Sequence, residues 1–150
     1  MFDFLFHHHK DLVHNHGKVK KWQGEHKLLA KEAVAVVEYY DKQDMKKAKK
    51  HLAKLQSLAL NHLMDEDVTF SDLFKKAKDT DTDLEIVDSM KEFRKTFVDT
   101  KKVLIHFFIH YTSPDVALDA TFKAKLEAII GALVKRIEFE ESTLYPKIDH

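Results

Sequence analysis

Apolar side chains recur every three or four residues along four long segments of this 150-residue chain. That spacing places them on one stripe of an α-helix, the stripe that packs into a protein core. The first predicted helix runs from about Lys18 to Tyr40, and the others follow after short connections. Short connections favour antiparallel neighbours, so the pattern predicts an all-α fold, an antiparallel up-down-up-down four-helix bundle.

Capping residues and prolines set the remaining predicted boundaries. Asp, Ser and Thr are typical of the position before a helix, and Thr82 with Glu85 forms a capping box. The predicted starts are Asp44 for the second helix, Thr82 for the third and the Ser113-Pro114 pair for the fourth, which Pro146 is expected to end.

Length and composition predict one domain preceded by a short arm. A chain of 150 residues suffices for one hydrophobic core, and three glycines and two prolines leave few helix breakers. We expect residues 1–17 to form an N-terminal arm and residues 18–150 to form the bundle.

Charge and cysteine content exclude several classes of protein. Twenty-five basic residues balance twenty-five acidic ones without a basic block, so no nucleic-acid partner is expected. The absence of cysteine excludes disulfides and thiolate metal sites. No apolar run approaches the ~18 residues of a membrane span. The first ten residues lack the features of a secretion signal, which predicts a cytoplasmic protein without a membrane partner.

Four polar side chains interrupt the apolar stripes near one level of the predicted bundle. His26 lies on the first helix, His62 and Glu66 on the second, and Glu140 on the fourth. At ~1.5 Å per helical residue, three of them lie about 12 to 16 Å from the same end, with His62 one turn deeper. Buried carboxylates need a compensating charge, so the cluster predicts a metal site. Imidazole and carboxylate without thiolate suit iron ahead of manganese or zinc.

Three segments resemble the hemerythrin-like (HHE) family: residues 24–29 (GEHKLL), 62–67 (HLMDED) and 136–146 (RIEFEESTLYP). The resemblance spans about residues 18–148. It implies a four-helix bundle around a non-haem di-iron centre, with histidines from all four helices and bridging carboxylates on the second and fourth. It also implies that His26, His62 and Glu66 are iron ligands, with Glu140 or its neighbour Glu141 as the other carboxylate.

Two positions depart from the family pattern. Phe93 and Arg136 stand where the resemblance places histidines on the third and fourth helices. Two histidines are compatible with one iron, or with two irons completed by water, and Phe93 is expected to leave an open, apolar-walled position for a small ligand. Alternatively, Arg136 pairs with Glu140, Glu141 or Glu66 and replaces the positive charge of the metal.

Other histidines lie outside this cluster. His106 and His110 have the spacing of a metal-binding pair, and with His51 they present a conceivable second site. They lie some 20 Å from the level of His26, and partly exposed histidines near helix ends are the competing interpretation. The N-terminal arm is expected to be a solvated tail; adventitious metal binding, or a further ligand for the cluster, is the alternative for its five histidines, His7, His8, His9, His14 and His16.

Known catalytic motifs are absent from the sequence, which contains no HExxH, P-loop, GxGxxG or GxSxG. The resemblance, with its altered ligand set, implies a non-haem iron-binding domain, and we expect a binding or sensing module for oxygen, a related small oxidant or iron rather than an enzyme. Peroxide or oxidase chemistry at a reduced site is a further alternative. A different class also stays open, a metal-free bundle that regulates protein partners while Arg136 neutralises the buried carboxylates.

Overall fold

The computed structural model describes residues 17–79 and 84–148. Within them the chain forms four long helices, a π-helical segment and a short last helix. Their bounds are Gly17–Asp41 for α1, Met45–Asp79 for α2, Leu84–Thr112 for α3, Ala120–Phe139 for α4, Glu140–Leu144 for the π-helical segment and Tyr145–Ile148 for α5. Residues 1–16 of the expected arm and Thr82 of the predicted capping box lie outside the described residues, while Gly17 already belongs to α1.

Neighbouring long helices run antiparallel. The contacts that show this join the first half of one helix to the second half of its neighbour: Trp22 with Phe70, Phe70 with Phe93, Phe107 with Phe122, and Lys123 with Asp41. Helix α4 packs against both α3 and α1, which closes the bundle. The all-α bundle predicted from the hydrophobic pattern is confirmed.

Buried apolar side chains form two clusters of unequal size. The main core consists of Leu29, Ala33, Val36, Ala48, Leu52, Leu55, Ala59, Leu63, Leu104, Phe107, Phe108, Tyr111, Leu118, Phe122, Leu126, Ile129 and Ile130. The small core consists of Val19, Trp22, Phe70, Phe93, Leu144 and Tyr145. Not every apolar side chain faces inward: the exposed large ones are Leu28, Met64, Val68, Val98, Val103 and Ile109. Among the described helices, none has the length and hydropathy of a membrane span.

A layer of buried polar side chains separates the two cores. On α1, His26 lies between Trp22 of the small core and Leu29 of the main core. On α2, Glu66 lies between Leu63 and Phe70 in the same way. We call this the polar layer; its members are His26, His62, Glu66, Arg136, Glu140 and Glu141.

The fourth helix begins at Ala120, so the prediction that it opens at Ser113 was wrong. Asp119 caps this helix, because its carboxylate accepts a hydrogen bond of 2.8 Å from the backbone N–H of Phe122. Ser113 instead terminates α3, where its hydroxyl donates to the carbonyl of Ile109 at 2.8 Å. The backbone then turns, since the N–H of Val116 donates to the Ser113 carbonyl.

A wider turn interrupts the end of the fourth helix. The backbone N–H of Tyr145 donates to the carbonyl of Glu140, five residues earlier, instead of the usual four. Pro146 follows directly; it has no N–H to donate, and its ring would crowd the carbonyl of Ser142 in a regular α-helix. The chain nevertheless stays helical through Ile148, so Pro146 does not end the helix as expected.

Candidate metal centre

Two imidazole rings meet inside the bundle, one from α1 and one from α2. The Nε2 atoms of His26 and His62 are 3.1 Å apart, and both side chains are buried. Each histidine lies on the apolar stripe of its helix, which is why the two rings face each other. Two nitrogen lone pairs at this distance repel each other unless a proton or a metal ion lies between them.

Two carboxylates complete the inner part of the cluster. Glu140 Oε1 lies 3.0 Å from His26 Nε2, and Glu66 Oε2 lies 3.3 Å from His62 Nε2. Both glutamates are 0% exposed. Carboxylates at such positions need a partner of positive charge or a donated proton, because an isolated buried charge is too costly.

The opposite nitrogen of each imidazole faces a further carboxylate. Glu25 Oε1 is 2.7 Å from His62 Nδ1, and Glu141 Oε2 is 3.4 Å from His26 Nδ1. A proton on Nδ1 directed at a carboxylate leaves Nε2 as the atom that can bind a metal. Glu141, which the sequence offered as an alternative to Glu140, therefore lies on the far side of His26 from Glu140.

Tyr145 brings a phenol into the same place. Its hydroxyl lies 2.9 Å from Glu140 Oε1 and 3.0 Å from Glu66 Oε2, with His26 Nε2 at 3.4 Å. Burial, followed by the charges of the two glutamates, raises the pKa of Tyr145 well above 10. The phenol therefore has a proton to donate to these carboxylates.

Arg136 occupies the side of the carboxylates that faces away from the histidines. Its Nε lies 3.2 Å from Glu140 Oε2, and its Nη2 lies 3.8 Å from Glu66 Oε1. The guanidinium also stacks on the ring of Phe93, 3.9 Å from the ring centre. The two departures from the family pattern thus contact each other. The expectation of an open position at Phe93 was wrong, because Arg136 covers that ring.

The ionisation of the cluster follows from these contacts. Burial alone would lower the pKa of His62, but hydrogen bonding to Glu140 and Glu66 outweighs it and raises the pKa to about 11. Burial and the negative charge of Glu140 raise the pKa of Glu66 to about 7. Burial would also raise the pKa of Glu140, yet hydrogen bonds with His26, His62 and Glu66 hold it well below its usual range. Protons and a metal ion therefore compete for the same nitrogen atoms.

The distances in the cluster fit one metal ion. Two atoms bound at ~2.1 Å to a common ion lie ~3.0 Å apart at adjacent octahedral positions and ~3.4 Å apart in a tetrahedron. The separations above, from 3.0 to 3.3 Å, lie at or near these values, whereas His62 Nε2 and Glu140 Oε1 are farther apart at 3.8 Å. The ligand atoms of His26, His62, Glu66 and Glu140 all fall within 4.8 Å of one another. Two nitrogens and two carboxylate oxygens form a donor set for a divalent or trivalent ion of intermediate hardness.

A comparison with protein families shows to which family the chain belongs. The sequence matches the family model of the hemerythrin HHE cation binding domain over residues 2–148. This chain belongs to that family. No curated protein and no solved structure matches it. Within the described residues, His26, His62, Glu66 and Glu140 form a buried cluster that could hold a metal ion.

The structure does not bring the other predicted histidines into this or a second cluster. His51 Nδ1 lies 2.6 Å from Glu32 of α1, and its ring stacks on Tyr39. His106 and His110 are exposed and line a cleft of about 560 Å³ between α3 and α4. Within the described part of the chain, no group of three or more potential ligands includes any of these histidines.

Proposed function

We propose that this hemerythrin-like domain binds one transition-metal ion, iron ahead of manganese or zinc, through His26, His62, Glu66 and Glu140. The observation that carries the proposal is the pair of facing Nε2 atoms, 3.1 Å apart and flanked by two buried carboxylates. The opposite nitrogens face Glu25 and Glu141, the usual partners of a metal-bound histidine.

One ion fits better than two because Arg136 already supplies one positive charge. Its guanidinium pairs with the outer oxygens of both glutamates, and their inner oxygens face the histidines. Phe93 has no donor atom and packs against Arg136. The place of a second metal is thus taken by an arginine and an aromatic ring.

Within the site, each side chain has a distinct task. The two imidazoles and the two inner carboxylate oxygens bind the ion, and Glu25 and Glu141 orient the rings through Nδ1. An iron ion held by these residues would supply redox chemistry. Leu63 and the neighbouring apolar side chains exclude bulk water from this layer.

The space beside the site suits a small ligand. A void of about 10 Å³ adjoins His62, Arg136 and Glu140, and its other walls are apolar, formed by Leu29, Ala59, Leu63, Leu133 and Ile137. Such a void is close to the size of one water molecule, so an organic substrate does not fit. The size of the void supports binding or sensing of dioxygen, a related small oxidant or the metal itself. We also propose a cytoplasmic location.

Metal analysis of untagged protein tests the proposal. We expect close to one iron per chain when iron is supplied during expression, and its loss in His62→Ala. Wild-type protein with less than about a tenth of an equivalent, whether the supplied metal is iron, manganese or zinc, contradicts it.

A second function is favoured by the ion pairs of Arg136, which neutralise the buried carboxylates without a metal. In that case the bundle is a metal-free regulator of protein partners. The variant Arg136→Leu distinguishes the two functions. In protein freed of metal by a chelator, both functions predict that the variant loses about 3 to 5 kcal/mol of unfolding free energy. Added iron should restore much of that stability only if the cluster binds metal.

A further inference from the structure

We infer that the phenol oxygen of Tyr145 is a further protein ligand of the proposed metal ion, which makes the site an iron phenolate centre. The inference rests on the proposed metal binding and adds an oxygen donor of a third chemical type to imidazole and carboxylate. Nothing in the sequence pattern of the cluster marks Tyr145, which follows Glu140 by five residues.

The position of the hydroxyl carries the first step. It lies 2.9 Å, 3.0 Å and 3.4 Å from an atom of Glu140, Glu66 and His26, each of which is a proposed ligand. These separations match the ~3.0 to ~3.4 Å between neighbouring ligands of one ion. A purely structural tyrosine needs one acceptor, whereas this hydroxyl has a single proton and two carboxylate oxygens within bonding distance.

The backbone carries the second step. Five residues of an α-helix cover ~500°, which would turn Tyr145 ~140° away from Glu140. The π-helical segment absorbs the extra residue in one wide turn, as the bond from Tyr145 N–H to the Glu140 carbonyl shows. Both side chains consequently reach the same interior point, and Tyr145 is 0% exposed. Turns of this kind are frequent at functional sites.

The chemistry needs no oxidant when the ion is supplied as iron(III). The O–H bond of Tyr145 breaks, an oxygen–metal bond forms, and one proton leaves to solvent. The phenolate is a hard, anionic oxygen donor, which suits iron(III) better than iron(II).

Visible absorption tests the inference, because phenolate bound to iron(III) gives an intense charge-transfer band that imidazole and carboxylate ligands do not give. Full-length protein is first freed of metal with a chelator and then titrated with iron(III) nitrilotriacetate. Bound iron is measured after gel filtration. We expect the band to saturate with the bound iron. Tyr145→Phe should abolish the band while most of the iron stays bound, and Tyr111→Phe should keep both, since Tyr111 is a buried tyrosine of the main core.

A second variant keeps the test decisive if Tyr145→Phe fails to fold or loses its iron. The chain has four tyrosines, and replacing Tyr39, Tyr40 and Tyr111 by phenylalanine leaves only Tyr145. Resonance Raman excitation of this variant should still enhance phenolate ring vibrations. Bound iron without a charge-transfer band in the wild type overturns the inference and leaves the proposed function standing. Absence of any bound metal overturns both.

Discussion

Helices α1 and α2 are joined twice by the same kind of contact, a glutamate of α1 against the Nδ1 of a histidine of α2. Glu25 meets His62 at 2.7 Å and Glu32 meets His51 at 2.6 Å. The surroundings of the two rings differ. His62 turns its Nε2 toward His26 and two buried carboxylates, whereas His51 is partly exposed and stacks on Tyr39. A glutamate and histidine pair by itself is therefore no reason to propose a metal site; only at His62 do further potential ligands converge on Nε2.

Metal-dependent stability should show the largest difference between the pairs. At a free zinc concentration 100 times the dissociation constant, binding adds about 2.7 kcal/mol to the unfolding free energy. We expect this gain in the wild type and in His51→Ala, and no gain in His62→Ala. Urea unfolding with and without zinc measures it, and an equal gain in both variants would place the metal elsewhere.

The affinity for a divalent ion should rise steeply with pH. Because the pKa of His62 is raised to about 11, this histidine carries protons on both ring nitrogens at every pH from 6 to 8 unless a metal displaces the one on Nε2. Each pH unit removes a factor of ten of proton competition, so affinity should rise about 100-fold from pH 6 to pH 8. The raised pKa of Glu66, about 7, steepens the lower part of this range.

Zinc competition against a chelator of known pH dependence measures this slope. His51→Ala is the control and should keep it. A flat profile would show that no protonated group is displaced, which contradicts ligation by His62.

Removing the carboxylate of Glu25 should weaken metal binding without abolishing it. Glu25→Gln loses the charge that orients His62 and raises its basicity, so we expect metal affinity to fall about 10-fold to 100-fold. Glu32→Gln is the matched control, because it changes the equivalent contact to His51. Titration calorimetry with zinc distinguishes the two, and equal losses would mean that Glu25 acts only through general stability.

The smallest expected effect is the loss of unfolding free energy when the contact between Glu32 and His51 is removed. Glu32 and His51 are partly exposed, so Glu32→Gln should cost less than about 1 kcal/mol of unfolding free energy. Urea denaturation of the chelated protein measures the cost. A larger loss would mean that this contact, rather than apolar packing, holds α1 against α2 at that level.

Helical periodicity sufficed to predict four of the six members of the polar layer. His26, His62, Glu66 and Glu140 each fall on an apolar stripe, and a constant rise per residue brings them to nearby levels. The start of the fourth helix was not predictable in this way, because Ser113 and Asp119 are both capable caps. Asp119 is the one that bonds to the backbone of Phe122, while Ser113 bonds back to α3.

Helical periodicity did not predict that Tyr145 and Glu25 contact the cluster, and the physical reason differs between the two. Tyr145 lies beyond a change of helical pitch, so a count of 3.6 residues per turn places it away from Glu140; Pro146, directly after it, is the signal that the turn is irregular. Glu25 is partly exposed on α1 and reaches His62 on α2. Contacts between helices of this kind depend on side-chain reach and rotamer, which spacing along one helix does not determine.

Arg136 gives the bundle a cation that is part of its own covalent chain. A metal ion arrives from the medium and its occupancy follows supply, whereas a guanidinium is present at a fixed place from the moment the chain folds. Glu66 and Glu140 are thus paired with Arg136 before any ion is bound. If the cluster binds iron as proposed, the bundle should therefore fold without the metal, so that iron scarcity lowers the fraction of sites occupied and leaves the amount of folded protein unchanged.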